Sequence, residues 1–284
     1  DRYRSLDDYG AAKARLFENQ REAQIAVLNA DDPAVARIRP RARRLEFSRR
    51  ALPPRGVALI GETFLADPDG SGPRPVARRG DLTLPGAHNV ENALAALAAT
   101  LPLGVTAEAA VATLRSFRGL PHRTELVRVL GDVTWYDDSK GTNVDATLKS
   151  LEGFPDGTVH LILGGKEKGD DFRRLAPLVR AKARRVLTIG AAGDRIATAL
   201  EATRGITVVR CGTLDRAVAE AAAAAAPGDV VLLSPACASF DQFRNYEHRG
   251  EVFAKLVNDL PDSSASNGRG GGAGEPGHRV PLRN

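Results

Sequence analysis

Apolar and polar positions along the chain follow two regimes that change over near residue 119. In the first, Leu6, Tyr9, Ala12, Leu16 and Phe17 recur at helical spacing, predicting an amphipathic helix from Leu6 to about Asn19. QIAVLNADD (24–32) reads as a buried strand that runs into acids and Pro33. Between 43 and 84, RLEFS, VALIG, TFLA and DLTL are short apolar runs parted by Pro and Gly, predicting short antiparallel strands. GAHNVENALAALAATLPLG then predicts an alanine-rich helix, and TAEAAVATLRSF a second helix opened by a threonine cap.

The pattern breaks at FRGLPHRTE (117–125), where Gly119 and Pro121 interrupt it. Beyond this point strands (ELVRVL, DVTWY, TVHLIL, RVLTIG, ITVVR, DVVLLS) alternate with helices (RRLAPLVRAK, GDRIATALEA, LDRAVAEAAAAAA). Such alternation implies βαβ units and an α/β fold built on a mostly parallel sheet. The first two strands are expected to form a hairpin through Gly131-Asp132. The expected layout is a first domain over 1–119, a second over 120–261, and a disordered tail over 262–284 that lacks apolar residues to bury.

Composition narrows the function classes. Lys and Arg number 40 against 35 Asp and Glu, a formal charge of +5. The arginines are scattered, and with four Tyr, nine Phe and one Trp there is no aromatic platform for single strands, so a nucleic-acid role is disfavoured. The basic balance suits anionic substrates instead. No apolar run nears the roughly 20 residues of a membrane span, and two cysteines fit a reducing cytoplasm. The absence of methionine predicts that these residues are the carboxyl-terminal part of a longer protein.

Three polar stretches follow predicted strands, where open α/β sheets bind ligands. They are DDSKGTN after DVTWY, GGKEKGDDF (164–172) after TVHLIL, and SPACASFDQFRNYEHRG (234–250) after DVVLLS. A fourth, HNVENA, opens a helix with Asn89 and Asn92 three apart on one face. Ser, Thr, Gly and Asn at such places also serve as turn and cap residues, and Lys140 and Lys168 taken singly fit solvated charges. GAAGDR (190–195) is a weak glycine turn, Cys237 reads as a small buried residue, and no GxxxxGK[ST], CxxC or HExxH occurs. Together the loops point to an anionic small-molecule site at one sheet edge.

LPHR (120–123), DDSKGTN (137–143), LILGGKEKG (161–169) and above all SPACASFDQFRNYEHRG resemble the Mur ligases, in particular their D-glutamate-adding branch, from residue 1 to about 260. The resemblance implies the remainder of a central P-loop-type ATPase domain followed by a Rossmann-like domain, with the Walker phosphate loop and a UDP-sugar domain upstream. It implies an ATP- and Mg2+-dependent ligation in peptidoglycan synthesis, in which D-glutamate joins UDP-N-acetylmuramoyl-L-alanine through an acyl phosphate; the fragment alone is expected to be inactive. By the same resemblance Asp138 binds the ATP ribose, Lys140 meets phosphate or acyl-phosphate oxygens, and Arg123 reaches phosphate from the interdomain hinge. Asn89 and Asn92 contact the nucleotide. Thr142, Lys168, Ser239, Phe240 and Tyr246 match the D-glutamate cradle; Phe240 and Tyr246 differ from the residues usual there. Lys13 matches a lysine that forms a carbamate and ligates Mg2+, although unaided it reads as an exposed helix lysine. His122 is either a proton acceptor for the attacking amine or an orienting hinge residue. A cytoplasmic monomer acting on small molecules, with no nucleic-acid partner, is expected. Alternatives are a folylpolyglutamate-synthase-like ligase and a non-catalytic nucleotide- or glutamate-binding module.

Overall fold

The computed structural model describes residues 5–84, 86–203 and 205–262, so the expected disordered tail lies, apart from Asp262, outside the described residues. The chain divides into one compact unit up to Arg118 and a second from Gly119.

The first unit opens with α1 (Leu6–Ala14), whose cap Ser5 accepts from the Asp8 amide at 3.0 Å. The helix is shorter than its periodicity suggested: a 3-10 turn follows over Arg15–Phe17, and Tyr9 and Leu16 are exposed. A five-stranded sheet follows, ordered β1 (Ile25–Asn29), β2 (Arg43–Ser48), β3 (Gly56–Ile60), β4 (Thr63–Asp67), β5 (Arg74–Arg78). The expected all-antiparallel arrangement over 43–84 holds only for β3 to β5; β1, β2 and β3 are parallel. Strand direction is a tertiary property: the link 49–55 carries the chain back to the starting end, so β3 begins beside Glu46 of β2. DLTL is no strand, because Arg79–Asp81 turns as a 3-10 helix with the Asp81 carboxylate accepting from the Arg78 amide at 2.7 Å. The short α2 (Pro33–Ala36) lies between β1 and β2.

Two helices cover this sheet. In α3 (Ala87–Thr100) the residues Val90, Ala93, Leu94, Leu97 and Ala98 follow helical spacing and pack on Leu45, Val57, Phe64 and Ala66. The expected threonine cap is present on α4 (Ala107–Ser116), where Thr106 Oγ1 accepts from the Ala109 amide. Arg115 ties α4 back to Asp81 at 2.8 Å.

The second unit holds a six-stranded sheet. Its order is β10 (Val208–Gly212), β9 (Ala183–Ile189), β8 (Val159–Gly164), β11 (Val230–Leu233), β7 (Val133–Asp137), β6 (Glu125–Leu130). All pairings are parallel except β6 with β7, the expected hairpin. Its turn has φ of 56° at Gly131 and 60° at Asp132, the mirror-image geometry that matches strand twist.

Helices lie on both faces, so the central strands are buried on both sides. Val230 and Leu232 face α5 (Val144–Glu152), α6 (Ala176–Lys182) and α7 (Gly193–Glu201) through one cluster with Leu151, Leu161, Val179 and Ile196. Val231 and Leu233 face α8 (Leu214–Ala224) and α9 (Tyr246–Asn258) through another with Trp135, Val218 and Phe253. The period-two split of VVLL fixes the sheet centrally and leaves the carboxyl ends of β7, β8 and β11 together at one edge.

Candidate functional site at the carboxyl edge of the second sheet

The three polar stretches meet at that edge and are laced by backbone hydrogen bonds. The Asp138 amide donates to Leu233 O, the Ala236 amide to Gly141 O and the Gly164 amide to Pro235 O, each at 2.8 Å. Lys166 and Ala238 exchange a pair of bonds at 2.8 and 3.0 Å. Gly165 has φ 135°, and a Cβ there would lie 2.2 Å from Ala238 O, so the second glycine of GGK is needed for this close approach.

At the end of β7, alternation puts Val133, Trp135 and Asp137 on the buried side. Asp137 is 1% exposed; its Oδ1 accepts from the Ser139 amide at 2.8 Å, and its Oδ2 lies 2.7 Å from His122 Nδ1. Burial raises its carboxyl, offset by those two bonds. His122 sits at φ 61° and Thr124 at φ 48°, left-handed conformations that cost a side-chain-bearing residue about 1–2 kcal/mol. The loop is held there by the His122 amide donating to Glu125 Oε2 (2.8 Å) and the Lys140 amide donating to His122 O (3.1 Å). Among the described residues His122, Glu125 and Asp137 are the one group of three His, Cys, Asp or Glu side chains with donor atoms within 4.8 Å of one another.

Asp138 is also buried. It accepts from Ser234 Oγ at 2.7 Å and from the Thr124 amide at 3.2 Å, and burial pushes its carboxyl up to about 6. Lys140 is half-buried: its Nζ donates to Tyr246 Oη at 2.6 Å and lies 3.8 Å from that ring's centroid. The Tyr246 ring meets the His122 ring edge-on, centroids 6.2 Å apart. Thr142 is half-buried in the same turn, and Asn143 caps α5 by accepting from the Ala146 amide at 2.8 Å.

Ser239 is 2% exposed, and its carbonyl receives the Phe243 amide at 2.8 Å. Phe240 is 67% exposed beside it. Lys168 is exposed in the 164–169 loop. A shallow cavity of about 570 Å³ beside that loop is lined by Asp170, Phe172, Arg173 and Arg195, and Lys140 is not part of its lining. Cys237 is buried and burial pushes its thiol up to about 12, in line with a small packed residue rather than a nucleophile.

Of the remaining expected site residues, Arg123 belongs to the second unit and Asn89, Asn92 and Lys13 to the first. Arg123 is exposed. On α3, Asn89 is half-buried and Asn92 exposed, with Asn92 Nδ2 3.5 Å from Asn89 Oδ1. Lys13 is exposed on α1 with its ammonium 5.3 Å from the Tyr9 ring centroid.

Sequence reasoning missed Arg249. Buried to 1% on α9, it donates through Nε to Ser139 Oγ (2.9 Å), through Nη2 to Ser139 O (2.8 Å) and through both Nη atoms to Cys237 O (3.2 Å each). Burial lowers its guanidinium to about 10. One side chain thus pins the first polar loop to the third. Asp137 and Ser234 were missed too; the period-two alternation of β7 was the signal that placed Asp137 inside, while nothing in the pattern marked Arg249 as buried.

A doubly wound sheet with a lysine, buried hydroxyls and an anchored arginine gathered at its carboxyl edge has the architecture of the Rossmann-like class, whose sheets bind ligands at that edge. Residues 122–237 match the Mur ligase glutamate ligase domain and residues 1–100 the Mur ligase middle domain. The chain belongs to the Mur ligase family. It is 46% identical over 260 residues to the UDP-N-acetylmuramoylalanine--D-glutamate ligase of Acidobacterium capsulatum, covering 90% of this chain and 56% of that one. It is 45% identical to the protein of the same name from Solibacter usitatus, covering 92% and 58%. The chain therefore spans little more than half the length of these curated relatives. Among solved structures, the pseudomurein peptide ligase type C of Methanothermus fervidus matches with TM-score 0.63 at 18% identity, covering 89% of this chain and 60% of that one. The Mycobacterium tuberculosis folylpolyglutamate synthase complexed with ADP matches with TM-score 0.62 at 17% identity, covering 92% and 62%. At these identities the structural matches bear on fold alone.

Proposed function

We propose that this chain is part of a cytoplasmic ATP-dependent ligase that joins D-glutamate to UDP-N-acetylmuramoyl-L-alanine in peptidoglycan synthesis. The observation that carries the reading is the lacing of the 137–142, 164–169 and 234–240 loops at one sheet edge, with the Lys140 ammonium at the rim. Relatives named for this reaction, at 45–46% identity, support the choice of substrates.

The chemistry transfers the terminal phosphoryl group of ATP to the substrate carboxylate; the glutamate amine then attacks, and the tetrahedral adduct collapses to amide, ADP and phosphate. Charge develops on oxygens throughout, so fixed cations and donors are what the site must supply. Lys140 serves the acyl-phosphate oxygens with the N–H groups its Tyr246 bond leaves free. Lys168, Thr142, Ser239 and the backbone around Phe240 and Tyr246 hold the dicarboxylate. Asp138 binds the ribose, with Arg123, Asn89 and Asn92 as further nucleotide contacts. His122, oriented by Asp137, takes the amine proton. Mg2+ supplies charge neutralisation at phosphate when bound, and Lys13 is exposed, so CO2 can reach its amine. No His, Cys, Asp or Glu group of three stands with it among the described residues, so these residues alone do not form a metal site around Lys13.

The test is phosphate release by the full-length chain, dependent on both D-glutamate and UDP-N-acetylmuramoyl-L-alanine. Higher turnover with L-glutamate, or with a folate acceptor, overturns the substrate assignment.

A further inference from the structure

Lys140 carries a long side chain with four rotatable bonds, and a reactive cation that wanders contributes little to a transition state. Its ammonium is nevertheless fixed here, lying over the Tyr246 ring and donating to the phenol oxygen at 2.6 Å. Tyr246 is in turn fixed from three sides. It opens α9 directly after the cap Asn245, its carbonyl receives Ser139 Oγ at 2.8 Å, and its ring stands edge-on to His122.

An ammonium only donates, so the phenol oxygen accepts from Lys140 through a lone pair. One ammonium N–H is used and two remain for a ligand.

We propose that the Tyr246 side chain is a positioning residue for Lys140: its hydroxyl and ring hold the lysine ammonium at the site's rim, ready for the substrate anion. The sequence resemblance matched Tyr246 to the substrate cradle; this role belongs to its phenol oxygen, an atom that phenylalanine lacks. The inference rests on the reading of Lys140 as an anion ligand for its consequence, but not for the contact itself.

The test has a structural arm and a kinetic arm. In the full chain with 13C-lysine, the Lys140 ε-methylene protons, assigned by their loss in Lys140→Arg, are expected upfield from the Tyr246 ring current. Tyr246→Phe keeps the ring and removes the hydroxyl, and is expected to return the resonance toward free lysine. An unchanged Lys140 resonance in Tyr246→Phe overturns the proposal. In the kinetic arm Tyr246→Phe raises KM for the amino-acid substrate about tenfold with kcat changed less than KM, a split that simple loss of fold does not produce. A KM equal to the parent's also overturns it. If the resonances move as expected but turnover is independent of D-glutamate, the positioning contact stands and the substrate assignment falls.

Discussion

Two histidine–aspartate pairs are buried in the second unit, at opposite ends of the same sheet. His160 Nε2 lies 3.0 Å from Asp229 Oδ2, and His122 Nδ1 lies 2.7 Å from Asp137 Oδ2. Judged by geometry alone they are equivalent. Their surroundings separate them. His160, near the start of β8, is fully buried, and Asp229 also accepts from the Ala226 amide at 2.9 Å and pairs with Arg184 at 3.3 Å. The His122 side chain keeps 15% exposure, sits on a left-handed backbone and borders Tyr246 and the Lys140 loop. The first pair closes the amino end of the sheet; the second faces the edge where α/β sheets bind ligands. A histidine–carboxylate pair acquires chemical meaning from its address, not from its length.

The comparison breaks most sharply under truncation. His160→Ala leaves Asp229 without its imidazole and opens a cavity, and is expected to cost about 4 kcal/mol in urea unfolding. His122→Ala is expected to cost about 1 kcal/mol, yet to lower turnover of the full-length chain about 100-fold. Equal stability losses would erase the distinction between the pairs.

Proton linkage sharpens it next. Asp138 has its folded pKa raised to about 6, so between the unfolded value and 6 the folded state holds a proton the unfolded state has released. Its contribution to stability is present below about pH 4 and is lost as pH rises through 6, by at most about 3 kcal/mol. Asp138→Asn should flatten that limb of the stability curve. His160 acts in the other direction: burial lowers its pKa, so its contribution is present above about pH 6.5 and is lost as pH falls below that value. His160→Gln, which cannot be protonated, should remove this acid limb and leave the Asp138 limb in place.

Gly250 on α9 gives a smaller effect confined to one pair. A Cβ there would lie 2.2 Å from His122 Nδ1 and 2.4 Å from Asp137 Oδ2, so Gly250→Ala must force the dyad apart, at about 2 kcal/mol. Chemical shifts of His160 should not move. The smallest structural effect is expected for the exposed Lys168: Lys168→Ala should leave the unfolding midpoint unchanged while weakening D-glutamate binding about tenfold by calorimetry.

Much of the architecture was legible beforehand because its signals are local. The alternation of strands and helices after Gly119, the Gly131-Asp132 hairpin turn and the Thr106 cap each depend on a few adjacent residues. The misses share a cause. The parallel pairing of β1, β2 and β3, and the loss of DLTL as a strand, depend on where distant segments return. The site divides the same way. Polar stretches ending strands were visible as words, and the loops holding Lys140, Thr142 and Ser239 do meet. Arg249, which joins two of them, was not visible, since an arginine in a helix is ordinarily solvated.

By itself, then, the sequence determined the type and order of most elements, and which loops carry polar side chains at strand ends. Periodicity and turn chemistry act over a few residues, and they are written in the chain directly. Only the tertiary structure decided that Asp137 is held by His122, that Lys140 lies on Tyr246, and that Arg249 binds Ser139 and Cys237 together. Those contacts join residues up to 110 positions apart. Whether a charge there is buried and paired depends on what the fold brings beside it, and no local pattern encodes that neighbour.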